Sequence, residues 1–217
     1  EALRVAVDDA VQPAHHILIS GGTPKPKDVW FHQELYVRVI QEFPTTPVDI
    51  MMAPIKDVLR YDELREAGVN ELSINLEVFD QDIAASMMRN KHHQGRDYYL
   101  SEIERASEEL GPLRVRSMLM VGLEPLASTL AGVRAIAERG GVPVLSPFRP
   151  DPVTPLAGLR PPALDLMHEA YERGREIARA AGSYLGPDCP PCTHNTLGFG
   201  EGRDGDVRYR YAEPVLL

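Results

Sequence analysis

The strongest constraint on this chain is an alternation of short apolar runs with longer stretches of helical periodicity. Ile17-Leu18-Ile19 is the first run, three consecutive bulky residues, and reads as a strand at 16–20 buried on both faces. Val48 to Pro54 is the second, Glu71 to Glu77 the third, Arg114 to Leu123 the fourth and Pro143 to Phe148 the fifth. Helical patterns fill the intervals. One runs from the N-cap Asp28 to about 42, with Trp30, Leu35, Val37, Val39 and Ile40 as its apolar face. Another covers Ile55 to Ala67 and is closed by Gly68. Asp80 to Met88, Tyr98 to Leu110, Pro125 to Arg139 and Ala163 to Ala181 complete the set. Residues 1–12 carry the end of a helix that Pro13 stops, and Lys91 to Gly95 reads as a polar loop. Strands that alternate with helices at this spacing pair in parallel through crossover helices. The expected fold class is α/β. It is a partial (β/α)6, TIM-like parallel barrel missing its first strand over residues 1–181, with a loop-rich C-terminal tail at 182–217. A doubly wound open sheet is the rival.

In a parallel barrel, chemistry collects where the strands end. Those ends read Ser20-Gly21-Gly22-Thr23, Met52-Ala53-Pro54, Ser73 with Asn75 and Glu77, Gly122-Leu123-Glu124-Pro125, and Ser146-Pro147-Phe148-Arg149-Pro150. Gly21 and Gly22 permit a positive φ and a close approach to bare backbone; the plain alternative is a tight strand-to-helix turn. Strand side chains alternate, so Ser73, Asn75 and Glu77 share one face. With Leu72, Ile74 and Leu76 toward the helices, the polar three point inward. Such a triplet is costly to bury unless it is bonded internally or holds a ligand.

Four of these stretches carry a family likeness. Ser20-Gly21-Gly22-Thr23 resembles the glycine pair of radical S-adenosylmethionine (SAM) enzymes. Ser73-Ile74-Asn75-Leu76-Glu77 resembles their ribose- and methionine-contacting strand, in the manner of the biotin synthase-like group. Val121-Gly122-Leu123-Glu124 resembles the adenine-side motif, and Pro143 to Pro155 the last barrel strand with its loop. The resemblance covers roughly residues 1–181. It implies that Ser20, Gly21, Gly22 and Thr23 receive the methionine amine, and that Ser73, Asn75 and Glu77 meet the ribose. It also implies that Arg96 holds the carboxylate, with Lys91 and Arg89 as rivals for that role, and that Leu123 and Phe148 border the adenine. In that family an external electron donor feeds a [4Fe–4S] cluster held by Cys-x3-Cys-x2-Cys. The cluster cleaves SAM to a 5′-deoxyadenosyl radical, which attacks a small-molecule substrate. This sequence lacks that cysteine motif and any strand before its first helix. It therefore reads either as a segment beginning inside the first helix of a longer enzyme or as a degenerate homologue. On either reading this chain alone is expected to be inactive. No catalytic acid, base or hydrogen donor stands out, although Cys189 is a candidate thiol.

The tail supplies the second motif. Cys189-Pro190-Pro191-Cys192 has metal-ligand spacing, and His194 is a candidate third ligand. A complete site takes four, so a redox dithiol and two inert thiols stay open. A net charge of -9 repels phosphate backbones, which sets nucleic acid aside as a partner. No apolar run approaches the roughly 20 residues that span a bilayer, so no membrane partner is expected. With two cysteines and no secretion signal, the expected location is cytoplasmic. Two other classes compete. An aldolase-type barrel lyase needs a strand-end lysine or a His and acid cluster, and the expected strand ends offer neither. A non-catalytic binding domain would use the cysteine pair as a structural metal site.

Overall fold

The computed structural model describes residues 1–21, 29–55, 59–187 and 195–197. The elements are α1 (Ala2–Val7), β1 (Ile17–Ser20), α2 (Val29–Glu42), β2 (Val48–Met51), α3 (Tyr61–Ala67), β3 (Glu71–Ser73), α4 (Gln81–Met87), α5 (Arg89–Gln94), α6 (Arg96–Leu110), β4 (Val115–Val121), α7 (Leu126–Ala137), β5 (Val142–Pro147) and α8 (Leu164–Ala180). The five strands form one parallel sheet in the order β1-β2-β3-β4-β5. A doubly wound sheet reverses its strand order partway; this one never does. A singly wound order of this kind is compatible with part of a TIM-like fold. Among the described residues no bridge joins β5 back to β1, so closure into a barrel is not seen.

Register follows from which residues the helices cover. Ile50 pairs with Leu72, and both are fully buried, as are Ile74, Leu119 and Leu145 along the sheet. Leu64, Ile103 and Ile136 pack onto them from α3, α6 and α7. Burying each such side chain contributes about 1.5–3 kcal/mol.

The sequence reading needs five corrections. First, β1 is not buried on both faces. Among the described residues β2 is its one neighbour, and Leu18 is 40% exposed at that sheet edge. Second, α2 turns a different face inward. Gln33, Tyr36 and Ile40, at helical spacing, are buried, whereas Trp30, Phe31 and Leu35 are exposed. The proposed N-cap Asp28 lies outside the described residues. Third, the helix after β2 begins at Tyr61 rather than Ile55; it does end at Gly68 in the left-handed conformation, φ 95°. Fourth, Lys91 to Gly95 is no loop, because Lys91 to Gln94 belongs to helix α5. Fifth, regular pairing in β3 stops at Ser73; beyond it Ile74 N–H still donates to Arg116 O at 2.9 Å, and an isolated bridge joins Glu77 to Leu119.

The start of the tail is more ordered than a loop. Tyr184 and Leu185 are buried, and Gly186 forms a parallel bridge with Val144 on the outer edge of β5. Leu197 N–H then donates to Leu145 O at 2.7 Å.

A buried ionic layer crosses the amino-terminal half of the sheet. Arg116 on β4 lies 2.9 Å from Asp49 on β2 and 3.0 Å from Glu71 on β3. Asp49 also meets His16 at 2.9 Å and accepts from Asn70 at 2.7 Å. Burial pushes the Asp49 carboxyl up, but His16, the Arg116 charge and Asn70 together outweigh it and hold the group below the usual carboxylate range. In a β/α sheet this end carries stability, and the opposite end carries chemistry.

Candidate functional site

At the carboxyl ends of β1, β2 and the extension of β3 lies a cavity of about 220 Å³, lined by Ser20, Met51, Met52, Ala53, Asn75, Glu77 and Lys91. That volume sits below the roughly 300–1,000 Å³ of a whole small-molecule site, so it accommodates part of a ligand of nucleotide size.

Asn75 is 8% exposed and held by its carbonyl oxygen. Its Oδ1 accepts from Ser73 Oγ at 2.9 Å and from Met118 N–H at 3.1 Å. Those two donors assign the amide orientation. The Nδ2 group is left without a partner among the described residues, on a side chain that lines the cavity. Asn75 is thus a donor toward any occupant.

Glu77 stands in the left-handed region, φ 70°, unusual for a residue with a side chain. Such a conformation costs about 1–3 kcal/mol and persists only where neighbours enforce it. Here β4 enforces it. Glu77 N–H donates to Met118 O at 2.7 Å, and Glu77 O accepts from Met120 N–H at 2.8 Å. The next turn is held by Glu124, whose carboxylate accepts from Phe79 N–H at 2.9 Å, Asp80 N–H at 2.7 Å and Thr129 Oγ1 at 3.1 Å. Burial pushes the Glu124 carboxyl up despite these bonds. Asp80 in turn caps α4 by accepting from Asp82 N–H and Ile83 N–H.

Helix α5 brings Lys91 to the cavity. Its Nζ lies 2.7 Å from Glu77 Oε1 and donates to Asn75 O at 2.8 Å. The helix is tied back to the loop after β2, because Gln94 Nε2 donates to Pro54 O and Gln94 Oε1 accepts from Tyr99 Oη. Burial, and secondarily the Glu77 charge, pushes the Tyr99 hydroxyl up, so it stays a neutral donor. On the far side of the Glu77–Lys91 pair opens a second hollow of about 460 Å³, also lined by Ser86, Met87, Met88, Arg89 and Asn90.

The residues singled out by the sequence fall into three groups. Ser20, Asn75 and Glu77 come together at the cavity, with Ser73 buried behind Asn75. Gly21, Arg96, Leu123 and Phe148 are described but do not line it. A Cβ on Gly21 would stand 2.3 Å from Tyr36 Oη and 3.0 Å from His32 Nδ1, so packing against helix α2 also calls for a glycine here. The Arg96 guanidinium lies over the Phe79 ring, 4.6 Å from its centroid, and pairs with Asp97. Leu123 is half-buried beyond β4, and Phe148 is buried with its N–H on Val121 O. Gly22, Thr23, Cys189, Cys192 and His194 lie outside the described residues. Flanks of the cysteine segment are visible on β5: Gly186 N–H donates to Pro143 O, and Ser146 Oγ donates to Asn195 O. Among the described residues no group of three His, Cys, Asp or Glu is placed to hold a metal ion.

Sequence reasoning undervalued Lys91 and missed what Glu124 does. For Lys91 the one signal was that Arg89 to Gln94 contains no Gly or Pro, offset by the poor helix formers Asn90, His92 and His93. Glu124 offered none, because its donors lie on a different connection.

No protein-family model matches the chain. Among the described residues no helix is long and apolar enough to cross a membrane. The chain is similar to bacteriochlorophyllide c C-7(1)-hydroxylase of Chlorobaculum limnaeum, with 27% identity over 126 residues. The match takes in 57% of this chain but 31% of that protein, so the chain spans less than a third of the relative's length. It is a weak, partial homologue of an enzyme.

Proposed function

We propose that this chain is the SAM-cradling part of a radical SAM enzyme. The observation that carries the reading is convergence. Ser20 at the end of β1 and the pair Asn75 and Glu77 just beyond β3 were picked out on motif grounds, from two segments separated by whole β-α units, and they line one cavity with Met51 of β2 between them. The likeness to a hydroxylase agrees with chemistry at a C–H bond and supports an enzyme in general. It does not single out the biotin synthase-like group, so the substrate class is left open.

SAM fits the donor set. Its ribose hydroxyls offer protons to the Glu77 carboxylate and lone pairs to Asn75 Nδ2, while its amino-acid arm carries both charges for Ser20 and Lys91 to meet. When bound, SAM supplies a sulfonium whose adenosyl carbon is the reactive group. The protein's part is to hold the nucleoside against a backbone fixed by β4 and to exclude water through Met51 and Met52. The residues present do not fit the family's cluster, which takes three thiolates; the chain has two cysteines, Cys189 and Cys192. No reductive step is therefore assigned to it. The cysteine pair is kept as a metal-ligand pair, tested by metal content before and after Cys189→Ser with Cys192→Ser.

Calorimetric titration with SAM tests the central reading. Binding is expected, and Glu77→Ala should weaken it about tenfold or more, the scale of a hydrogen bond to a charged group at about 1.5–3 kcal/mol. Absence of binding to the unaltered chain overturns it.

The arrival of Lys91 at the cavity favours one other reading, a Schiff-base lyase of aldolase type. An amine paired with a carboxylate is poorly placed as a nucleophile. Borohydride reduction with pyruvate or dihydroxyacetone phosphate would mark Lys91 covalently on that reading and leave it unmodified on ours.

A further inference from the structure

The two faces of the sheet are finished differently. Leu119 and Leu145 look toward the helices. A Cβ on Gly132 of α7 would stand 2.9 Å from Leu119 Cδ1, and one on Gly174 of α8 would stand 3.1 Å from Leu145 Cδ1. Side chains alternate along a strand, so Met118, Met120 and Ser146 belong to the opposite, inner face. Register carries that face across the sheet. Arg116 pairs with Ser73, Ser73 with Met51, and Asp49 with Leu18, so these residues share it with Met118 and Met120.

The inner face changes character along the strands. Its amino-terminal end is the ionic layer, where Arg116 is paired with both Asp49 and Glu71. Beyond that layer stand Leu18, Met51, Met118 and Met120, while the hydroxyls of Ser73 and Ser146 already donate to Asn75 Oδ1 and Asn195 O. The start of the tail runs along β5, and Val144 and Ser146 are buried there. Met51, Met118 and Met120 stay half-buried, and Leu18 is exposed. These four side chains carry no charge, so an ion laid on them would lose water and gain no partner. Methionine instead adapts to irregular apolar shapes and makes favourable sulfur–ring contacts. Met51 also lines the 220 Å³ cavity, so the cavity and this surface share a wall.

We infer that the inner face over Met118 and Met120 seats the substrate, and that this substrate is an uncharged, ring-bearing and largely hydrocarbon molecule. Its standing as the substrate seat rests on the SAM reading above. The apolar seat itself rests on the sheet alone. Binding there comes from dispersion and the removal of apolar surface from water, and charged molecules are refused by the lack of a partner for them.

The test is methyl NMR of the full chain labelled at methionine, with signals assigned through single Met→Leu variants. Indole is the apolar probe and succinate the charged one. Indole should shift the Met118 and Met120 methyls saturably, and succinate at the same concentration should leave them in place. Met120→Glu, checked for folding by circular dichroism, should weaken indole about tenfold or more. If that variant fails to fold, the two titrations of the unaltered chain decide alone. Indole shifts confined to other methionines overturn the seat, as do succinate shifts equal to those of indole. So does the absence of any shift, the result given by a face that another part of the chain already covers. A separate titration with SAM should move the Met51 methyl. If indole moves Met118 and Met120 but SAM moves nothing, the apolar seat stands and its role in catalysis falls with the SAM reading. If SAM moves Met51 but indole leaves Met118 and Met120 in place, the inference falls and the SAM reading stands.

Discussion

Gly21 follows the strand that opens the site, and two explanations compete for it: bare backbone for a ligand, or space for Tyr36. The structure supports a decisive perturbation. The Cβ of Gly21→Ala would lie 2.3 Å from Tyr36 Oη, more than 1 Å inside the 3.4 Å where ordinary contact begins. Tyr36 is 1% exposed and bonded to His32 Nδ1 at 3.2 Å, so its hydroxyl has little room to retreat. Overpacking of this kind costs about 1–3 kcal/mol. The lower chain entropy of alanine in the unfolded state offsets about 0.4–1 kcal/mol of that. Tyr36→Phe removes the obstructing oxygen and one hydrogen bond, a loss of about 1 kcal/mol. The double variant should therefore be less destabilised than the sum of the singles, with a coupling of about 1–2 kcal/mol, inside the range seen for residues in contact. Urea unfolding of all four proteins measures it. Additivity to within about 0.3–0.5 kcal/mol would refute the packing argument. SAM titration of the double variant then finishes the comparison. Affinity equal to that of Tyr36→Phe assigns the glycine to packing, and a selective loss assigns it to the ligand.

Other expectations follow from the same coordinates. Arg116→Met strands Asp49 and Glu71 in a buried layer and should cost about 3–5 kcal/mol in chemical denaturation; a loss below about 1 kcal/mol would show the layer to be wet. Because the Asp49 carboxyl is held low when folded, its contribution is fully present above its unfolded pKa, near 3.9, and is lost as pH falls through the lower folded value. Asp49→Asn should accordingly flatten the acid limb of the stability curve, and an unchanged limb would contradict the assignment. Glu124→Ala leaves Phe79 N–H and Asp80 N–H without their acceptor, at about 1–3 kcal/mol for each donor that stays dry; thermal melts check this. Glu77→Gly relieves the left-handed strain and should raise stability by about 1 kcal/mol while lowering SAM affinity. Higher stability with undiminished affinity would mean that the strained residue has no part in binding.

Periodicity is local, and what depended on it could be read directly from the chain. The five strands, their parallel pairing and the long helices all followed from apolar spacing, as did the placing of Ser20 at a strand end, whereas Asn75 and Glu77 lie just beyond the end of β3. The singly wound order was narrowed to two options and needed the sheet itself to decide. The buried faces of β1 and α2 were misread because an apolar residue does not announce whether a neighbouring strand or helix covers it. Leu18, Trp30 and Phe31 have no such cover among the described residues.

The site divides along the same line. Which residue types stand at each strand end is written in the order of the amino acids, because the alternation of side chains is a property of a single strand. Who meets whom is decided only by folding. Glu71 and Arg116 are 45 positions apart, Lys91 and Asn75 are 16 apart, and no pattern within either segment names the partner. The left-handed turn at Glu77 belongs to this second class as well: isolated backbone disfavours it, and it exists because β4 takes both of its peptide groups. Strand-end chemistry was thus set residue by residue, whereas the charge pair that bounds the cavity came from two elements meeting in space.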